Sequence, residues 1–208
     1  MLKKLTKKRW WCNFILTIVI LLLLPFGQAV PSCWADEHLY ALNLFAGRMT
    51  SNNWEDFFID DDDLKFENSY LSGVALARCI SKYHDKASFE IEGQIVKHLN
   101  IQTHWELNAL FVARWEKFWW NDVLDTSLAF GLGPSFATRE PELELEINEN
   151  TSQFLIYWML ELAIGLPKHP RIAVFTRIHH RSDGFGLISN GGGSNALVFG
   201  LKWRFVNR

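Results

Sequence analysis

Trp105-Glu106-Leu107-Asn108-Ala109-Leu110-Phe111-Val112-Ala113-Arg114-Trp115 is the stretch whose reading decides the fold. Taken alternately, Trp105, Leu107, Ala109, Phe111, Ala113 and Trp115 make one face. Glu106, Asn108 and Arg114, with His104 just before them, make the other. A period of two is that of a strand, whose successive side chains point to opposite sides. Phe89, Ile91 and Ile95 oppose Glu90, Glu92, Gln94 and His98 in the same way. Phe154, Ile156, Trp158, Leu160, Leu162 and Ile164 lie together with Glu161 opposite.

Working outward, eight segments of this character can be marked: 37–48, 68–81, 87–99, 102–116, 123–138, 152–165, 171–182 and 194–205. Each is near the roughly 9–11 residues that a tilted membrane strand needs. In 68–81 the two faces do not separate cleanly, because Ser72, Gly73, Ala75, Ala77 and Arg78 are small or mixed. No heptad or long helical pattern competes.

The chain starts with Lys3, Lys4, Lys7, Lys8 and Arg9, an apolar run from Phe14 to Leu24, then Pro25, Gly27 and small residues up to Ala29 and Ala35. This is the order of a secretory signal peptide over residues 1–35, cleaved after Ala29 or Ala35. Its loss leaves 16 basic against 23 acidic residues, a net charge of −7, so nucleic acid is not an expected partner. Ten tryptophans and sixteen phenylalanines in an exported chain need an apolar or interfacial setting. The expected fold over 36–208 is therefore all-β, an antiparallel transmembrane β-barrel of about eight strands in the outer membrane of a Gram-negative bacterium. Its exterior faces lipid, and ion pairs and hydrogen bonds fill its interior.

Connections after the first, fifth and seventh segments are long and those after even segments short, although the one near Asn100–Ile101 is also short. Long loops are extracellular in such barrels, so odd-numbered strands run outward. Trp115, Trp119, Trp120 and Trp203 then fall in a periplasmic aromatic girdle, and Phe205 resembles the terminal aromatic of assembled barrels. Past the signal, Cys33 and Cys79 remain. A disulfide between them suits an oxidising periplasm, while an unpaired Cys79 buried in a strand is the simpler reading.

The seventh segment carries the candidate site. Arg171, Arg177 and Arg181 belong inside or at the interface, so Ile172, Val174, Thr176 and Ile178 face lipid, and His180 and Ser182 continue that outward set. A serine and a histidine at the outer leaflet meet lipopolysaccharide, whose lipid A carries ester-linked acyl chains. Serine attack with histidine as general base is the matching chemistry, and loop backbone N–H groups at Asp183 and Gly184 could hold the oxyanion. Glycines 184, 186 and 191–193 permit a close backbone approach, as they also permit a mobile loop.

The export signal, the strand layout and the block from His180-Arg181-Ser182 to the closing aromatic strand resemble the outer-membrane lipid A 3-O-deacylase family, also grouped with acyloxyacyl hydrolases. At residue level the likeness covers about 177–205. It implies Ser182 as nucleophile, His180 as base and an acidic residue on the next strand. Here the chain departs from the pattern: no Asp or Glu lies between Gly184 and Phe205, and Asn195, with lipid-facing parity, stands where it could orient the imidazole. Asp183 falls where the family usually has asparagine. His179 is a rival base whose parity points inward.

Elsewhere, Asp60–Asp63 form an acidic loop with no calcium-binding spacing, and Glu140, Glu142, Glu144 and Glu146 alternate with Leu143, Leu145 and Ile147 as if strands five and six continued as a hairpin. The histidine spacing gives no zinc motif, and no nucleotide-binding loop is present, so no cofactor or metal is expected. Three functions remain open: a cofactor-independent lipid A esterase, a non-catalytic adhesin or structural barrel acting through its acidic loops, and acyl transfer between lipids. The sequence leaves the oligomeric state undetermined.

Overall fold

The computed structural model describes residues 39–59, 64–148, 150–184, 186–189 and 191–205. The signal segment and Asp60–Asp63 lie outside the described residues. Eight strands form a closed antiparallel barrel in sequence order: β1 (Tyr40–Thr50), β2 (Phe66–Tyr83), β3 (Ala87–Asn100), β4 (Trp105–Trp115), β5 (Asp125–Ala137), β6 (Phe154–Gly165), β7 (Ile172–Ser182) and β8 (Gly193–Phe205). β1 and β8 close it, paired from Tyr40↔Phe205 to Thr50↔Asn195. Closure leaves no unpaired edge, which a lipid environment requires of any sheet that crosses it. No helix among the described residues is long and apolar enough to cross a membrane.

The alternation read from sequence is the alternation of the walls. Ile91, Ile95, Trp105, Leu107, Phe111, Val174, Phe199 and Leu201 stand on the exterior, while Glu90, Glu92, Gln94, Glu106, Asn108 and Arg114 are buried inside. β2 alternates too, with Val74, Leu76 and Ile80 outward and Leu71, Ala75, Ala77 and Cys79 inward. Its inner residues are themselves apolar, which is why its sequence does not sort by polarity. Trp115, Trp119 and Trp203 are exposed towards the short-turn end, and Trp120 donates to Thr126 Oγ1 at 2.9 Å. Cys79, for which the unpaired thiol was the simpler reading, is disulfide-bonded.

The lumen is filled by a charge network. Glu161 accepts from Arg114 at 2.7 Å, Arg177 at 2.6 Å and Lys202 at 2.6 Å. Arg177 also reaches Glu92 at 3.0 Å, and Arg114 reaches Glu90 at 2.7 Å. Each buried charge thus has opposite charges and hydrogen bonds to offset its desolvation. Phe45 and Phe175 lie against the Arg177 guanidinium, 5.5 and 5.0 Å from its carbon. Gly73 and Gly200 make room for those rings, since a Cβ would fall 2.5 Å from Phe45 and 2.4 Å from Phe175.

Among the described residues two short helices interrupt the loops, α1 (Asp56–Ile59) and α2 (Glu142–Asn148). α2 corrects the expected hairpin extension. Pro141 has no N–H to give a ladder, and the chain instead turns inward so that Leu143 and Glu144 are buried. Glu144 there meets Arg181 at 2.7 Å and accepts from Ser194 Oγ at 2.8 Å. The need of a buried arginine for a carboxylate outweighs a local period of two.

Candidate functional site

β7 sits between β6 and β8, and its outward residues near the long-loop end are His180 and Ser182. The register sets Trp158 of β6 and Asn195 of β8 on either side of His180, and Ile156 and Gly193 on either side of Ser182. Both histidine and asparagine therefore share the outer face, as parity requires.

Asn195 Oδ1 lies 2.6 Å from His180 Nδ1, and Asn195 Nδ2 donates to the backbone carbonyl of Asn52 at 2.8 Å. The second bond orients the first: with its amide nitrogen committed to Asn52, Asn195 presents its oxygen to the ring. An amide oxygen only accepts, so Nδ1 carries the proton and Nε2 keeps its lone pair. Trp158 packs on the other side of the imidazole with ring centroids 4.6 Å apart, and Trp54 meets Trp158 edge-on at 5.4 Å. His180 is held between a hydrogen-bonding neighbour and an aromatic one, leaving it 9% exposed.

Asn52 belongs to the first long loop, which its own side chain ties down. Asn52 Oδ1 accepts from the Lys65 N–H at 2.6 Å, and its Nδ2 donates to Asp56 at 3.3 Å. Sequence reasoning missed Asn52 and Trp54 altogether and read Trp158 only as a lipid-facing residue. The one signal for Trp158 was its outward parity; a partner across a strand is set by register, which a single sequence does not state.

Ser182 is partly exposed two residues beyond His180 on the same face, opposite a glycine that brings no side chain over it. Its hydroxyl makes no hydrogen bond among the described residues. Directly after it the chain turns: Gly184 has φ +65°, Asp183 accepts from the Ile188 N–H at 3.0 Å, and Gly184 from that of Leu187 at 3.3 Å. Asp183 and Gly184 thus adjoin Ser182 through the backbone. A Cβ on Gly184 would lie 2.5 Å from Ile156. The rival base His179 points inward, 3.0 Å from Glu106, on the opposite side of the wall from Ser182.

No protein-family model matches the chain, and no curated protein matches it. Among solved structures, the outer-membrane enzyme PagL is similar at a TM-score of 0.55 with 9% identity, over 78% of this chain and 98% of that one. Neisserial surface protein A is similar at a TM-score of 0.50 with 10% identity, over 80% of this chain and 97% of that one. At such identities the likeness is one of fold. Together with the closed wall, the apolar exterior and the polar lumen, it makes this chain an eight-stranded, membrane-embedded outer-membrane β-barrel of the Gram-negative type.

Proposed function

We propose that the protein is an outer-membrane serine esterase that removes an ester-linked acyl chain from lipid A of lipopolysaccharide. The observation that carries this reading is the His180 Nδ1 to Asn195 Oδ1 bond, which leaves Nε2 as an unprotonated base on the lipid side of the wall, on the same face as Ser182 two residues on. Ser182 Oγ bonds to the ester carbonyl carbon as its proton passes to Nε2. The acyl–oxygen bond breaks, the sugar hydroxyl leaves with that proton, and water then releases the fatty acid from Ser182 by the reverse sequence. Backbone N–H groups at Asp183 and Gly184 are the proposed oxyanion donors. Leu187 and Ile188, 83% and 44% exposed just beyond the serine, offer an apolar lip for an acyl chain.

A neutral amide in the third position fits this location. On a lipid-facing wall a carboxylate is costly, whereas an amide orients the same tautomer without a charge. The absence of that carboxylate also supports a second reading, a non-catalytic surface barrel whose loops engage a partner. A fluorophosphonate probe separates the two. Esterase chemistry predicts an adduct on the peptide carrying Ser182 that is lost in folded His180→Ala; a folded wild-type barrel with no adduct counts for the second reading.

A further inference from the structure

Inside the barrel, towards the long-loop end, His98 of β3, Glu106 of β4 and His179 of β7 converge. All three are buried, and one ligand atom from each lies within 4.8 Å of the others. We propose that they bind a divalent transition-metal ion of the zinc class, which clips the β3–β4 pair to β7 across the lumen.

The lumen's charge pattern singles out this cluster. Glu90, Glu92, Glu144 and Glu161 each pair with an arginine or lysine. Among the described residues Glu106, fully buried, has no arginine or lysine in an ion pair with it, and its ion-pair partners are the two imidazoles, His98 at 2.9 Å and His179 at 3.0 Å. A buried carboxylate calls for a compensating positive charge, and two imidazoles with a carboxylate are the donor set that zinc prefers and that calcium and magnesium do not.

The surroundings match those of ligands held in place. Asn108 Nδ2 donates to Glu106 Oε1 at 2.7 Å, and the Gln102 amide lies 3.1 Å from His98 Nδ1. Turning that amide end for end places its oxygen on an Nδ1–H and frees Nε2 of His98 for the ion, as outer hydrogen bonds do for metal-bound histidines. Ligand atoms around a tetrahedral ion at about 2.1 Å stand about 3.4 Å apart, so the two histidine–carboxylate distances of 2.9 and 3.0 Å need to open by about half an ångström, and all the ligand atoms already lie within 4.8 Å of one another. Next to it, His104 stacks on His98 at 4.3 Å with neither ring nitrogen hydrogen-bonded among the described residues, and His179 Nδ1 is equally unpartnered. A water completing the ion's coordination would give a His104 ring nitrogen a partner. The ligands come from three strands, which is why their sequence spacing spells no motif.

The test uses the mature chain folded in detergent, stripped with chelator and titrated with zinc or cobalt. The expected result is about one zinc per chain by elemental analysis, with the visible absorption of a four-coordinate cobalt site. Both should be lost in His98→Gln/His179→Gln that retains heat-modifiable mobility. Should the double variant not fold, His179→Gln alone, which keeps a hydrogen-bonding group against Glu106, must weaken zinc binding at least about tenfold. Wild type without saturable zinc overturns the proposal and assigns the cluster to a shared proton. Zinc that persists undiminished in a folded variant overturns it as well, and points to surface carboxylates.

Discussion

Neighbours along β7, His179 and His180 stand on opposite faces of one wall, and their partners differ accordingly. His179 meets the carboxylate of Glu106, in a lumen where Arg114, Arg177, Arg181 and Lys202 all answer buried glutamates. His180 meets a neutral amide, capped by Trp158 on a face rich in exposed aliphatic and aromatic side chains. Inside, charges offset one another; outside, no counter-charge is at hand. A hydrogen bond that carries no charge is the one such a surface can hold.

The largest effect expected from breaking this contrast is on the inner side. Glu161→Leu removes a counter-charge from three buried cations at once, leaving Arg114 with Glu90, Arg177 with Glu92 and Lys202 with no ion pair among the described residues. The loss should be about 3–5 kcal/mol, seen as a lower urea midpoint and lost heat-modifiable mobility. On the outer side, Ser182→Ala should leave the barrel folded and lower ester cleavage by about a thousandfold or more, measured as release of fatty acid from lipid A in mixed micelles. Asn195→Ala removes the orientation of the ring together with the bond to the Asn52 carbonyl and should cost about 10- to 100-fold in kcat/KM, with the urea midpoint little changed.

Asn195→Asp sharpens the comparison by putting a charge where the wall lacks one. A carboxylate beside His180 favours the imidazolium, so the acidic limb of the pH–rate profile should move to higher pH by about one unit. A profile that stays in place would mean that residue 195 does not touch the working base. The smallest effect is expected at Asn52. It holds Asn195 through its backbone carbonyl, which Asn52→Ala leaves in place while loosening side-chain ties of the loop such as those to Thr50, Lys65 and Asp56. A loss of about two- to fivefold in kcat/KM is expected, with no change in the pH profile.

Much of this architecture is legible in the sequence because its cause is local. Lipid on one side and charges on the other impose a period of two, and Trp105–Trp115 displays it residue by residue. Parity alone put His180, Ser182 and Asn195 on the outer face. What parity cannot supply is register, which pairs His180 with Asn195 and Trp158 across strands remote in the chain. The helix at Glu142–Asn148 escaped for a related reason: its alternating glutamates read as a strand, and the buried Arg181 that draws Glu144 inward lies 37 residues away. The cluster of His98, Glu106 and His179 was hidden likewise, since barrel closure and not sequence proximity gathers it.

The most direct measurement is mass spectrometry of lipid A from cells expressing the wild-type chain or Ser182→Ala, with folding verified by heat-modifiable mobility. The account predicts a species lighter by one acyl chain with wild type and none with the folded variant. Identical lipid A in both, from folded protein in the outer membrane, would contradict it.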